Sequence, residues 1–300
     1  MKKFILRLSL FALFFAFYFV FINLLFIWVI SSTDWDVIKR IESLKLDNPD
    51  YDLVVLGASA AMDDVDTKML TENNLKSYNM ALDGSTVRTS YIQLKEYLEK
   101  CSKMPRYVVL GVNSLNETFS NNGIQPIVDV TMKDHTFTLK DIPILRFKWL
   151  GFEFLKKIVS KNHRKAGLVD GQLKFQKTIP DRSSYINSNL DLSEFETSVW
   201  MGEIAKLCTQ NQIDLVVLEL PGYKELQNRS GIGPYKVNFT NGYSAHLYNF
   251  GFKDFCMIFD KDKDWVGNSH LNQFGASKFT KELFNHLQKL ESNYTIKAEI

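Results

Sequence analysis

The sequence predicts an α/β domain built on a parallel sheet and preceded by one N-terminal transmembrane helix. Three observations support this fold class: an uncharged apolar stretch at residues 8–30, short apolar segments that end in turn residues, and helical patterns between those segments. We expect a three-layer sandwich with a parallel central sheet. The predicted organisation is a cytoplasmic tip and anchor at 1–31, a linker at 32–50 and the α/β domain at 51–300.

Residues 8–30 have the length and composition of a membrane anchor. These 23 residues carry no charge and, at 1.5 Å per residue, are long enough to cross a hydrocarbon core of about 30 Å. A cleavable signal peptide has a shorter apolar region and a small-residue cleavage site, which this segment lacks. Lys2, Lys3 and Arg7 precede it, so the positive-inside rule predicts a cytoplasmic N-terminus and an exported C-terminal domain.

Five apolar segments are predicted to be strands of the sheet, at 52–57, 76–82, 106–112, 213–220 and 252–259. Helical periodicity predicts helices at 87–101, 193–210 and 276–290. Residues 117–195 interrupt this alternation and are predicted to be an insertion or subdomain. Within it, residues 142–158 mix aromatic and basic side chains, a pattern that fits a membrane interface, a glycan-facing lid or an ordinary amphipathic helix.

Composition excludes several classes of protein. The 300 residues are 45% hydrophobic and 23% charged, too apolar for a mostly disordered chain. The net charge of +2 comes from the three basic residues before the anchor; without a basic excess in the domain, nucleic acid is not an expected partner. The three cysteines lack metal-ligand spacing, so neither a zinc site nor a disulfide scaffold is predicted. No metal or cofactor is expected.

Four segments beyond the predicted strand ends carry groups suited to ester chemistry. In parallel sheets, reactive groups gather at the carboxyl ends of the strands. Ser59 follows the first strand in Gly-Ala-Ser, Gly84 follows the second, and Asn113 follows the third in Gly-Val-Asn. His270 lies just before the last helix, where it could act as a general base. Taken singly, each residue also fits a turn, a cap or a surface position.

Together these segments resemble the SGNH (GDSL-like) hydrolase superfamily, whose fold is flavodoxin-like. The stretch from His270 to Thr280, His-Leu-Asn-x-x-Gly-Ala-x-x-Phe-Thr, is similar to the membrane-anchored, cell-envelope branch of that superfamily. The resemblance implies that Ser59 is the nucleophile and His270 the base. It also implies that Gly84 and the Asn113 side chain join the Ser59 amide in the oxyanion hole.

One position departs from the superfamily pattern. The acid that normally stands three residues before the histidine is replaced by Gly267. Asp264, three residues further back, could take its place as the third catalytic member. A backbone carbonyl could also orient the imidazole, which would leave a Ser–His dyad. If neither group does so, the chain is a degenerate protein without catalysis.

The function predicted on this basis is a membrane-anchored serine esterase or O-acyltransferase. Its expected substrate is an acyl ester, with acetyl favoured, of an envelope polysaccharide, and its expected partners are that glycan, the lipid bilayer through residues 8–30, and proteins of envelope biosynthesis. The alternative is a non-enzymatic protein of the same fold that binds glycan or scaffolds envelope polysaccharide assembly.

Overall fold

The computed structural model describes residues 2–33, 43, 46–83, 85–112, 168–174, 192–222, 231–251, 257–266 and 270–298. The helices, in chain order, are α1 (Lys2–Thr33), α2 (Ser59–Asp64), α3 (Thr67–Glu72), α4 (Val87–Leu98), α5 (Leu192–Thr197), α6 (Val199–Gln210) and α7 (Gln273–Ala298). The strands are β1 (Leu53–Gly57), β2 (Ser77–Asn79), β3 (Tyr107–Val112), β4 (Leu168–Val169), β5 (Gln172–Leu173), β6 (Asp214–Glu219), β7 (Tyr235–Asn238) and β8 (Ser244–Asn249).

The central sheet confirms the predicted fold class. Its strand order is β2-β1-β3-β6-β8-β7, and every neighbouring pair is parallel except β7 with β8. Strands β1 and β3 are buried along their whole lengths, as expected for a parallel sheet covered on both faces. The carboxyl ends of β1 and β3 meet at one edge, where Gly57 pairs with Gly111.

Helices cover both faces of the sheet. Helices α4 and α6 pack against each other and against one face, where alternate residues of β1 and β3 such as Val54 and Val108 enter a continuous apolar core. Helices α2, α3 and α7 form the other layer. Four residues of α7 are buried in this layer at the helical spacing that predicted a helix at 276–290: Phe279, Leu283, Leu287 and Leu290.

Two predicted elements differ from the structure. The parallel strand after β6 is β8, which the sequence did not predict. Of the strand predicted at 252–259, residues 257–259 form a turn and a bend, and residues 252–256 lie outside the described residues. An antiparallel partner, β7, precedes β8 and continues into a turn at Gly242, which has φ +85°. The helix predicted at 193–210 is divided at Ser198. The Ser198 hydroxyl accepts a hydrogen bond from the Met201 amide, so this residue is the N-cap of α6.

The N-terminal helix is apolar on every side. Helix α1 contains a 25-residue segment, Lys2–Phe26, that is long and apolar enough to cross a membrane. Its large hydrophobic side chains, such as Phe14 and Phe17, are exposed in the chain by itself. An all-round apolar helix is suited to lipid rather than to water. The chain divides into two units, one comprising Met1–Glu42 and Pro126–Ala166 and the other the remaining residues, which include the whole sheet.

A small part of the predicted insertion at 117–195 is described, and it belongs to the sheet-containing unit. Strands β4 and β5 form a hairpin that lies against the end of β2, where the Asn79 amide donates to the Asp170 carbonyl at 2.9 Å. Gly171 is required at the turn because a Cβ there would lie 2.1 Å from the Asn79 carbonyl oxygen. The predicted amphipathic segment at 142–158 lies outside the described residues.

Candidate active site

The turn between β1 and α2 brings the predicted nucleophile to the edge of the sheet. Gly57 ends β1 with φ +133°, and a Cβ there would lie 2.4 Å from the carbonyl oxygen of Gly111. At Gly111, a Cβ would lie 2.7 Å from the Cβ of Ala61. Both glycines therefore let α2 pack directly on the sheet, which places Ser59 at the first residue of this helix beyond the carboxyl end of β1.

Ser59 and His270 meet at this edge although 211 positions separate them in the sequence. The His270 Nε2 and the Ser59 Oγ are 2.8 Å apart, within hydrogen-bond distance. The alternative of a simple helix cap does not apply to Ser59, because the N-cap position of α2 is Ala58. The pair has the arrangement required for a histidine to accept the serine proton.

The backbone beside His270 is held to α2 by a buried carboxylate. The Leu271 amide donates to Asp64 Oδ1 at 2.8 Å, and Asp64 is completely buried. On the other side, the Val266 amide donates to the His270 carbonyl at 2.7 Å, and Trp265 forms an antiparallel bridge with Leu271. These bonds connect the histidine segment to the helix that carries the serine, so the 2.8 Å contact does not depend on a free loop.

The rest of the predicted His270–Thr280 motif joins this segment to α7. The Asn272 side chain accepts hydrogen bonds from the amides of Phe274 and Gly275 and thus caps the helix. Gly275 is required because a Cβ would lie 2.4 Å from the Asp264 carbonyl oxygen. The Thr280 hydroxyl accepts from the Asp66 amide at 2.8 Å, which attaches α7 to the segment after α2.

Burial favours the neutral form of both His270 and Asp64. Desolvation lowers the pKa of His270, while the nearby Asp83 carboxylate acts in the opposite direction. A neutral imidazole near pH 7 can accept a proton, as a general base must. Desolvation raises the pKa of Asp64 well above its ordinary value, opposed by the hydrogen bond from the Leu271 amide.

The position of Asp264 differs from what a third catalytic member requires. Its Oδ2 accepts hydrogen bonds from Lys278 Nζ at 2.6 Å and from the Asp260 amide at 2.7 Å. Within the described residues, its carboxylate does not contact the His270 ring. A different acid does approach the ring: Asp63 Oδ2 lies 4.0 Å from His270 Nε2. The catalytic role predicted for Asp264 thus stays a prediction, with no contact to support it.

Replacement of Asp264 by asparagine separates the two roles this residue could have. Because Asp264 is buried and pairs with Lys278, we expect Asp264→Asn to lower the free energy of unfolding by about 1–2 kcal/mol. This loss of unfolding free energy is smaller than the loss expected for a fully buried ion pair, because the Lys278 side chain is half-exposed. Urea unfolding and steady-state kinetics of the same preparation measure both quantities. A loss of turnover of a hundredfold or more at unchanged stability would instead assign Asp264 a catalytic role.

Three of the predicted site positions lie outside the described residues: Gly84 and Asn113 of the oxyanion hole, and Gly267. The residues next to Gly84 and Asn113 that the structure describes lie at the same edge as Ser59. Ser85 donates its hydroxyl proton to the Gly57 carbonyl at 2.6 Å, and Val112 is the last residue of β3. The oxyanion hole stays a prediction.

Two acidic residues of α2 near the candidate site were not predicted from the sequence. Asp63 and Asp64 follow Ser59 by four and five positions, so the spacing i, i+4 could have indicated that Asp63 shares a helix face with the serine. No signal in the sequence connects Asp64 with Leu271. Across the described segments, no group of three or more His, Cys, Asp and Glu side chains could hold a metal ion.

Comparisons with known proteins give little beyond this geometry. No family model matches the chain, and no curated protein matches it. Among solved structures, the chain is similar to a protein from Streptococcus pneumonia described provisionally as a platelet activating factor. The identity is 11% and the TM-score 0.39, over 89% of this chain and 98% of the other. A similarity this distant carries no inference about activity.

Proposed function

We propose that this chain is a membrane-anchored serine esterase or O-acyltransferase that acts on acyl esters, with acetyl favoured, of an envelope polysaccharide. The observation that carries the proposal is the 2.8 Å contact between Ser59 Oγ and His270 Nε2 at the carboxyl edge of a parallel sheet. The lowered pKa of His270 adds to it, because a neutral imidazole is the form that activates a serine. The proposed substrate class rests on the resemblance of the sequence motifs to the SGNH superfamily.

The proposed reaction proceeds through an acyl-enzyme. Ser59 Oγ attacks the ester carbonyl carbon while its proton moves to His270 Nε2, and the resulting oxyanion collapses with loss of the alcohol, which takes that proton. His270 then removes a proton from water or from a sugar hydroxyl. The oxygen so activated attacks the acyl carbon, and the bond to Ser59 Oγ breaks as His270 returns the proton to that oxygen. The product is a free acid when water is the acceptor and a new ester when a sugar hydroxyl is the acceptor.

The proposed location places this reaction outside the cytoplasm. Helix α1 is the candidate anchor, and the basic residues before it favour a cytoplasmic N-terminus. The sheet-containing unit would then act in the periplasm or outside the cell, where envelope polysaccharides and the proteins that assemble them are found. Acylated glycan is the proposed substrate, and envelope biosynthesis proteins are the proposed partners.

A second candidate function is a non-catalytic protein that binds glycan or scaffolds envelope assembly. The observation in its favour is the missing acid: Gly267 stands where the superfamily has aspartate, and Asp264 is paired with Lys278. Without an acid to support the imidazolium, a Ser–His pair can lose orders of magnitude in rate. Geometry of the pair is compatible with both candidates, so a chemical test must separate them.

Fluorophosphonate labelling tests the proposed function. The probe forms a covalent bond only with an activated serine, so we expect stoichiometric labelling of the detergent-solubilised full-length chain and none in Ser59→Ala. Ser85→Ala is the matched control, since Ser85 lies at the same edge but donates its hydroxyl proton to the Gly57 carbonyl. Equal labelling of wild type and Ser59→Ala, or an unlabelled wild type, would contradict catalysis by Ser59 and favour the binding protein.

A further inference from the structure

A buried acid one helical turn after Ser59 faces the same histidine. Asp63 is the fifth residue of α2, and positions i and i+4 of a helix lie on one face. Asp63 is 4% exposed, and its Oδ2 lies 4.0 Å from His270 Nε2. The carboxylate therefore approaches the ring nitrogen that contacts the Ser59 hydroxyl.

The backbone on both sides of this pair is fixed. The fully buried Gln172, from the β4–β5 hairpin, donates its side-chain amide proton to the Asp63 carbonyl at 2.9 Å. One residue along each segment, Asp64 Oδ1 accepts from the Leu271 amide at 2.8 Å. Asp63 and His270 thus precede two residues that are bonded to each other. This connection constrains the two backbones, and both side chains are largely buried, with 29% of the His270 side chain and 4% of the Asp63 side chain exposed.

The location of Asp63 suits the charge that the proposed reaction creates. When the Ser59 proton reaches His270 Nε2, the imidazole becomes a cation, and a negative charge on Asp63, 4.0 Å away, would favour that cation. In the usual triad, the acid contacts the other ring nitrogen and also fixes the tautomer. Asp63 approaches the proton-accepting nitrogen itself, so its effect would be electrostatic.

We propose that Asp63 is the acidic partner of His270 in this protein, supporting the imidazolium in place of the acid absent at Gly267. The kinetic test of this inference rests on the proposed function, whereas the titration of His270 does not. Asp63 is a positioning residue that acts through His270. Two further acids lie near the histidine: Asp83, after β2, and Asp64, whose carboxyl is bonded to the Leu271 amide. Both are retained in every variant below.

Titration of the His270 ring tests the inference without any substrate. The full-length chain in detergent micelles is labelled with ¹⁵N-histidine, and the His270 signals are assigned by their loss in His270→Gln. Removing a nearby carboxylate disfavours the imidazolium, so we expect Asp63→Asn to lower the pKa of His270 by about 0.5 unit or more. Asp63→Glu keeps the charge and should stay closer to wild type. Glu72→Gln removes an exposed carboxylate of α3 and should change nothing.

An unchanged His270 titration in folded Asp63→Asn would overturn the inference. If the asparagine variant does not fold, Asp63→Ser removes the charge with a smaller side chain and is judged by the same shift. A kinetic measurement accompanies the titration. Fluorophosphonate labelling of Asp63→Asn should be about 10- to 100-fold slower than that of wild type, and the acidic limb of its pH–rate profile should move to lower pH. A purely structural role would lower the rate without moving that limb. An unlabelled wild type would refute the proposed function. The titration would still decide whether a charge on Asp63 changes the pKa of His270.

Discussion

Replacing His270 with glutamine is expected to lower turnover of an activated ester such as p-nitrophenyl acetate by about a thousandfold or more. Glutamine keeps a polar side chain near Ser59 but cannot accept the hydroxyl proton, so the serine loses its base. In wild type, burial lowers the pKa of His270, and its neutral form persists below the ordinary value of 6.5. Activity should therefore be half-maximal at a pH below 6.5 on its acidic side.

The control for this change is His246→Gln. His246 is the third residue of β8 and is paired with Val216 across the sheet, so the substitution has the same chemistry away from the candidate site. We expect His246→Gln to keep turnover close to wild type. Equal rates for wild type and His270→Gln over the whole pH range would remove His270 from the mechanism and leave the Ser59 contact without catalytic meaning.

Replacing Gly57 with alanine is expected to have the largest effect on stability. The new Cβ would lie 2.4 Å from a backbone carbonyl oxygen of Gly111 and 2.8 Å from the Ala61 Cβ, at a φ of +133°. Neither obstacle is a flexible side chain, so α2 must move away from the sheet. We expect the free energy of unfolding to fall by about 3 kcal/mol or more, measured by urea unfolding with tryptophan fluorescence.

Gly242→Ala separates backbone strain from collision in this experiment. Gly242 has φ +85°, and a Cβ there would meet nothing within 4 Å, so its alanine variant carries the conformational cost alone. That cost is about 1 kcal/mol. A loss in Gly57→Ala no greater than that in Gly242→Ala would mean that α2 does not pack on the sheet as closely as described. Because α2 carries Ser59, we also expect Gly57→Ala to lose fluorophosphonate labelling.

Local sequence pattern was sufficient for three strands of the parallel part of the sheet. The apolar runs that became β1, β3 and β6 are buried on both faces, so their composition alone identifies them within one or two residues at each end. Strand β8 was not predicted because Ser244–Asn249 mixes polar and apolar residues. Its strand identity depends on pairing with β6 and β7, which a local pattern does not contain.

Some residues of the candidate site could likewise be predicted from local sequence, and others could not. Ser59 and His270 were accessible to sequence reasoning because each follows or precedes a recognisable element at the strand ends. Asp63 and Asp64 were missed because their significance lies in contacts with residues more than 200 positions away, at His270 and Leu271. Asp264 was selected for its sequence proximity to His270; its carboxylate pairs with Lys278 of α7, and its catalytic role stays a prediction.

The distance along the chain between the two halves of the site has a consequence for biosynthesis. A ribosome produces Ser59 early, but the segment that carries His270 and the helix that anchors it come some 200 residues later. Until α7 is synthesised and has packed against α2 and α3, the serine has no base beside it. If Ser59 and His270 act as proposed, a nascent or truncated chain that ends before α7 would hold an unactivated hydroxyl, and activity would require the last layer of the sandwich to be in place.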